Sequence, residues 1–67
     1  MDKWKAELLV KMRMNKITQR ALAKHLNLTE EYISMVFNGA KNPSGAEEKF
    51  TNAVNEIISE RQSNNQD

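Results

Sequence analysis

The residues that most often do covalent or metal chemistry are nearly absent. The 67-residue chain has no cysteine, and His25 is its one histidine. A zinc site needs several such ligands, and a nucleophile needs a base within reach. His25 has neither, and its place in an amphipathic segment makes it a surface or edge residue. Glu56 and Glu60 stand i, i+4 and share a helix face, near Glu47 and Glu48. Such a run reads as a solvated face before it reads as an acid pair. There is no glycine-rich phosphate loop, and a chain this short does not build a deep pocket. Enzymatic catalysis is therefore not expected. The remaining chemistry is hydrogen bonding and charge. It is concentrated in Thr18-Gln19-Arg20, in Glu30-Glu31-Tyr32 with Ser34 and Met35, and in Asn38, Lys41, Asn42 and Ser44.

The charge is segregated. Residues 1–25 hold seven basic side chains against Asp2 and Glu7, net +5. Residues 26–45 hold Lys41 against Glu30 and Glu31, net −1, and residues 46–67 hold two basic against five acidic side chains, net −3. A basic front and an acidic rear suit a molecule that touches a polyanion with one face, although an ordinary solvated surface is compatible with the same numbers. No apolar run approaches the roughly 20 residues of a membrane span. The charged N-terminus leads into an amphipathic pattern rather than a signal segment. A cytoplasmic location, no membrane contact, no metal, no cofactor and no small-molecule ligand are expected.

The elements that position these residues are helices, since β-branched alternation is absent and Gly39, Pro43 and Gly45 gather in one short stretch. The first helix is expected over 2–14, capped by Asp2, with Trp4, Leu8, Leu9 and Met12 on one face. The second starts at the cap Thr18, carries Leu22, Ala23 and Leu26, and ends at Asn27-Leu28. The third starts at the cap Thr29, buries Ile33, Val36 and Phe37, and stops at Asn38-Gly39. Ser44 and Glu47 have capping-box spacing for a last helix, whose apolar face is Phe50, Ala53, Val54, Ile57 and Ile58. Trp4 and Phe50 are expected to pair the first and last helices. The ordered domain is expected over 1–61, followed by a disordered tail over 62–67, which has no apolar anchor.

Two short helices joined by a tight turn make the informative segment, QRALAKHLNLTEEYISMVFN, residues 19–38. Ala23 lets the helices approach, the apolar positions fix a wide angle, and Asn27 takes the positive φ that the turn needs. Gln19, Ala23, this apolar spacing, Phe37-Asn38-Gly39 and Asn42-Pro43-Ser44 together resemble the phage repressor and Cro family, the XRE-like helix-turn-helix proteins. The resemblance covers roughly residues 5–60. Asn27 stands where that family usually has glycine, and four helices are read where five are common. The resemblance implies an all-α, compact, four- to five-helix lambda-repressor-like domain that binds double-stranded DNA.

It also implies roles. The third helix would lie in the major groove, with Glu30, Glu31, Ser34 and Met35 at base-reading positions. Tyr32, also on the outer face, is expected with Met35 to meet a thymine methyl or the sugar edge. Thr18, Gln19 and Arg20, together with Asn38, Lys41, Asn42 and Ser44, would hold the DNA backbone. Glu30 and Glu31 repel phosphates, and they equally suit the positive end of the helix dipole. The function expected is a sequence-specific transcriptional repressor of phage or mobile-element type that acts by occupying an operator. A homodimer is expected, with Ile57 and Ile58 as interface candidates and Val10 and Met14 able to join them. The alternative is a protein-interaction module on the same scaffold, such as an antirepressor or small phage inhibitor.

Overall fold

The computed structural model describes residues 2–64. Four helices follow in order: α1 (Lys3–Met14), α2 (Gln19–Leu26), α3 (Glu30–Phe37) and α4 (Ala46–Asn64). The described residues contain no strand, so the all-α expectation holds.

Two helix ends and the starts that follow them use one device twice. At the end of α1, Lys16 N–H donates to Arg13 O (3.1 Å) and Ile17 N–H to Met12 O (2.8 Å). At the end of α2, Asn27 N–H donates to Lys24 O (3.2 Å) and Leu28 N–H to Ala23 O (2.8 Å). This paired bonding satisfies carbonyls that the helix leaves open, and it requires a left-handed residue. Lys16 and Asn27 supply it, with φ of 57° and 59°. An apolar residue then turns inward, Ile17 fully and Leu28 partly. A threonine caps the next helix: Thr18 Oγ1 accepts from Ala21 N–H (3.0 Å) and Thr29 Oγ1 from Tyr32 N–H (3.1 Å). The role of Asn27 was expected; that of Lys16 and the burial of Ile17 were not.

Two expected caps differ. The Asp2 backbone carbonyl accepts from Lys5 and Ala6 N–H, but its side chain makes no capping bond. Its carboxylate turns instead toward the Lys5 ammonium, 3.5 Å away. Lys5 is only 4% exposed. Its ammonium lies 5.8 Å from the Trp4 ring centroid, so the long stem covers apolar surface while the charge meets a carboxylate and a π face. At α4, Gly45 takes φ 74° and its carbonyl accepts the first helical bond, from Lys49 N–H at 3.0 Å. Gly45 therefore holds the cap position, and Ser44 lies one residue before it instead of at the cap as expected.

The core gathers from all four helices. Leu22, Ile33, Val36, Phe50 and Val54 are its most enclosed large side chains. Phe50 sits between two other aromatics, edge-on to Trp4 at 6.3 Å and to Phe37 at 5.7 Å. The expected Trp4–Phe50 pairing thus gains a third ring from α3, in arrangements that ring quadrupoles favour. The last helix runs to Asn64, past the expected end at Arg61. Arg61 Nη1 donates to Asn15 O (2.8 Å) and Lys16 O (3.1 Å), tying this stretch to the end of α1. The remainder of the expected tail, 65–67, lies outside the described residues.

Lys16→Gly should stabilise the domain by about 1 kcal/mol, because a side chain in the left-handed region carries a steric cost that glycine escapes. Thermal unfolding followed by circular dichroism should show a midpoint raised by roughly 4–8 °C; a lowered midpoint would contradict the role given to Lys16. Thr29→Ala should move the midpoint down by a similar amount, since it leaves the Tyr32 N–H without its cap.

Candidate nucleic-acid interface

The unit formed by α2, the Asn27 turn and α3 has an inner and an outer side. Ile33, Val36 and Phe37 are buried on the inner side of α3, and Leu22 and Ala23 on that of α2. Ala23 has almost no side chain to hold the helices apart. Leu26 and Leu28 are half-buried and line the edge of the same contact. The three inner positions of α3 fix which residues point outward, because side chains follow the 3.6-residue period. Glu30, Glu31 and Ser34 are exposed, while Tyr32 and Met35 are half-buried. Tyr32 also packs against the core, so only part of its surface is free.

One hydrogen bond locks the outer side together. Ser34 Oγ donates to Gln19 Oε1 at 2.9 Å. It joins the middle of α3 to the first residue of α2, and no local pattern in the sequence signals a pair fifteen positions apart. Arg20 Nε approaches Glu30 Oε1 at 4.0 Å, with both side chains largely exposed. Such a pair adds little stability, but it offsets one of the two carboxylates on α3. The first helical bond of α2 runs from Leu22 N–H to Thr18 O, and the Thr18 side chain is used on Ala21. The Gln19 and Arg20 N–H groups precede both bonds and point out of the helix start, where the dipole favours an anion.

The loop after α3 is shaped by its own polar groups. Asn38 Oδ1 accepts from Ala40 N–H (2.9 Å), Asn42 Nδ2 donates to Gly39 O (3.3 Å), and Lys41 N–H donates to Met35 O (3.1 Å). Asn38, Lys41, Asn42 and Ser44 are all exposed. Asn38 therefore has its amide N–H groups to offer, and Lys41 its ammonium. The polar residues singled out from the sequence fall into two sets, one at the start of α2 and one after the end of α3, with the outer face of α3 between them in the chain. A broad depression of about 650 Å³ adjoins the second set at Lys41 and Asn42 and extends to Trp4, Lys5, Pro43 and Thr51, but takes in no outward residue of α3.

Other assignments change. Ile57 is 7% exposed and belongs to the protomer's own core, and Ile58 packs partly against that core. They face inward because the α4 stripe that begins at Phe50 continues through them. The large apolar side chains that are exposed among the described residues are Val10 (59%) and Met14 (78%) on α1. His25 is an edge residue, and its Nε2 lies 2.8 Å from Glu56 Oε1. This contact joins α2 to α4 and accounts for one of the paired glutamates. Among the described residues no helix is long and apolar enough to cross a membrane.

A helix-turn-helix family model matches residues 9–47, from the middle of α1 into the first turn of α4. No curated protein and no solved structure matches the chain. The matched segment is more than half of the chain and centres on the α2-turn-α3 unit, so the chain belongs to the XRE-type helix-turn-helix family of DNA-binding regulators.

Proposed function

We propose that this chain is a sequence-specific transcriptional repressor, of phage or mobile-element type, that occupies a double-stranded operator as a homodimer. The observation that carries the reading is the Gln19–Ser34 bond on the outer side of α2 and α3. It fixes the phosphate-facing start of one helix against the base-facing side of the other. In this geometry the N-terminal half of α3 enters the major groove. Glu31, Ser34 and Met35, flanked by Glu30 and Tyr32, meet base edges. The start of α2, with Thr18, Gln19 and Arg20, meets the phosphates on one side. Asn38, Lys41, Asn42 and Ser44 hold the backbone on the other.

The dimer follows from the size of the reading element. α3 has eight residues, about 12 Å of helix, and reads only a few base pairs. Two copies on half-sites about 34 Å apart multiply that affinity. With Ile57 buried, the contact between copies falls to Val10 and Met14, one helical turn apart on α1. Repression then needs no more than occupancy of the operator.

Selection from a random duplex pool tests the whole reading, and a palindromic consensus is expected. Binding should weaken steeply with salt. Lys41→Ala should lower affinity for all sequences alike and reduce the salt slope by about one. Met14→Glu should leave the helical spectrum intact and yield monomers in sedimentation velocity. If no duplex binds at low salt, the chain is a protein-docking scaffold instead, the reading that the two carboxylates on α3 favour.

A further inference from the structure

The side chains of α3 offer very few protons. Its sequence, EEYISMVF, contains no lysine, arginine, histidine, asparagine or glutamine. The side-chain donors are the hydroxyls of Tyr32 and Ser34. The Tyr32 ring is half-buried against the core, and its hydroxyl, with no partner among the described residues, is the single side-chain donor left on α3. The Ser34 proton is committed to Gln19 Oε1 at 2.9 Å, which leaves the Ser34 oxygen with lone pairs only. Glu31 is exposed and accepts without donating. Glu30 lies beside Arg20, and Met35 is apolar. Glu31 and Ser34 stand three residues apart and so are neighbours on the helix surface. Together they present an acceptor face with an apolar spot at Met35. Gln19 keeps both amide N–H groups, but at the start of α2 rather than on α3.

Base edges in the major groove differ in this respect. Guanine offers N7 and O6, both acceptors, whereas the donors are the exocyclic amines, N4 of cytosine and N6 of adenine. An acceptor face set against guanine N7 and O6 brings lone pairs together. A carboxylate carried into the groove with no donor opposite it is left desolvated and unpaired, which is the costly case. We infer that α3 reads its operator through exocyclic amines, taken by Glu31 and Ser34, and not through guanine O6 and N7. This rests on the DNA-binding reading above and adds the base chemistry it requires.

The test uses the duplex enriched from the random pool, with single bases exchanged along the segment that α3 covers. Unsubstituted purine in place of adenine, and pyrimidin-2-one in place of cytosine, each delete one amine. 7-Deazaguanine deletes N7. Removal of an amine facing Glu31 or Ser34 should weaken binding by about 5- to 150-fold, and 7-deazaguanine should change it by no more than about twofold. In Glu31→Gln, whose amide both donates and accepts, the penalty for deleting that amine should shrink, with the melting midpoint showing that the variant is folded. A 7-deazaguanine penalty of the larger size, with every amine deletion silent, overturns the inference and leaves DNA binding intact. A pool that yields no enriched sequence overturns the DNA-binding reading and this inference with it.

Discussion

Eight residues are too few to hold a helix together in water, because the cost of nucleating the first turn is recovered only over a longer run. α3 is of this length, and so is α2. Neither stands without burying its apolar side. The burial of Ile33, Val36 and Phe37 in one core cluster with Leu22, Phe50 and Val54, with Phe37 edge-on to Phe50, is therefore the packing on which the molecule depends. It provides the stability of α3, and by fixing three inner positions it fixes the outer ones. The orientation of Glu31, Ser34 and Met35 is a consequence of core packing and not a separate feature of the surface.

The turns make that packing possible. A left-handed residue, an inward apolar residue and a capping threonine occur in this order after α1 and again after α2. Each group redirects the chain within a few residues while satisfying the open carbonyls of one helix and an open N–H of the next. The strain at Lys16 and Asn27 is thus confined to positions where hydrogen bonds and burial of Ile17 and Leu28 offset it. A small domain has little stability to lose, so these local devices weigh more here than in a larger protein.

Electrostatics are arranged around the same frame. Positive charge lies at the end of α1, the start of α2 and the loop after α3. Negative charge collects on α4, where Glu56 is drawn to His25. The two glutamates at the start of α3 interrupt this separation. Arg20 stands close to one of them, while the other remains exposed on the outward face. Arg20, beside Glu30, precedes these carboxylates in the chain, and the exposed Lys41 follows them after the end of α3.

Much of this was readable along the chain. The helix starts at Thr18 and Thr29, the left-handed Asn27, the stop at Gly39 and the inner stripes of α3 and α4 all depend on neighbours within four or five residues. The spacing of residue types states such relations directly. The capping box at Ser44 misled because Gly45, free to take a positive φ, moved the start of α4 by one residue. Beyond the Trp4–Phe50 pairing of α1 with α4, what the sequence alone could not determine was which distant side chains meet. Ile57, on the apolar stripe of α4, suits a partner copy as well as the protomer's own core until α4 lies on that core, and Lys5 reads as a surface charge until Asp2 and Trp4 enclose it. Gln19 and Ser34, His25 and Glu56, and Arg61 with the end of α1 are partners only because packing brings distant segments together. The local code decided that there would be two short capped helices joined by a tight turn. The tertiary structure decided which side of α3 faces outward and which of its polar groups are already engaged, as Ser34 is with Gln19.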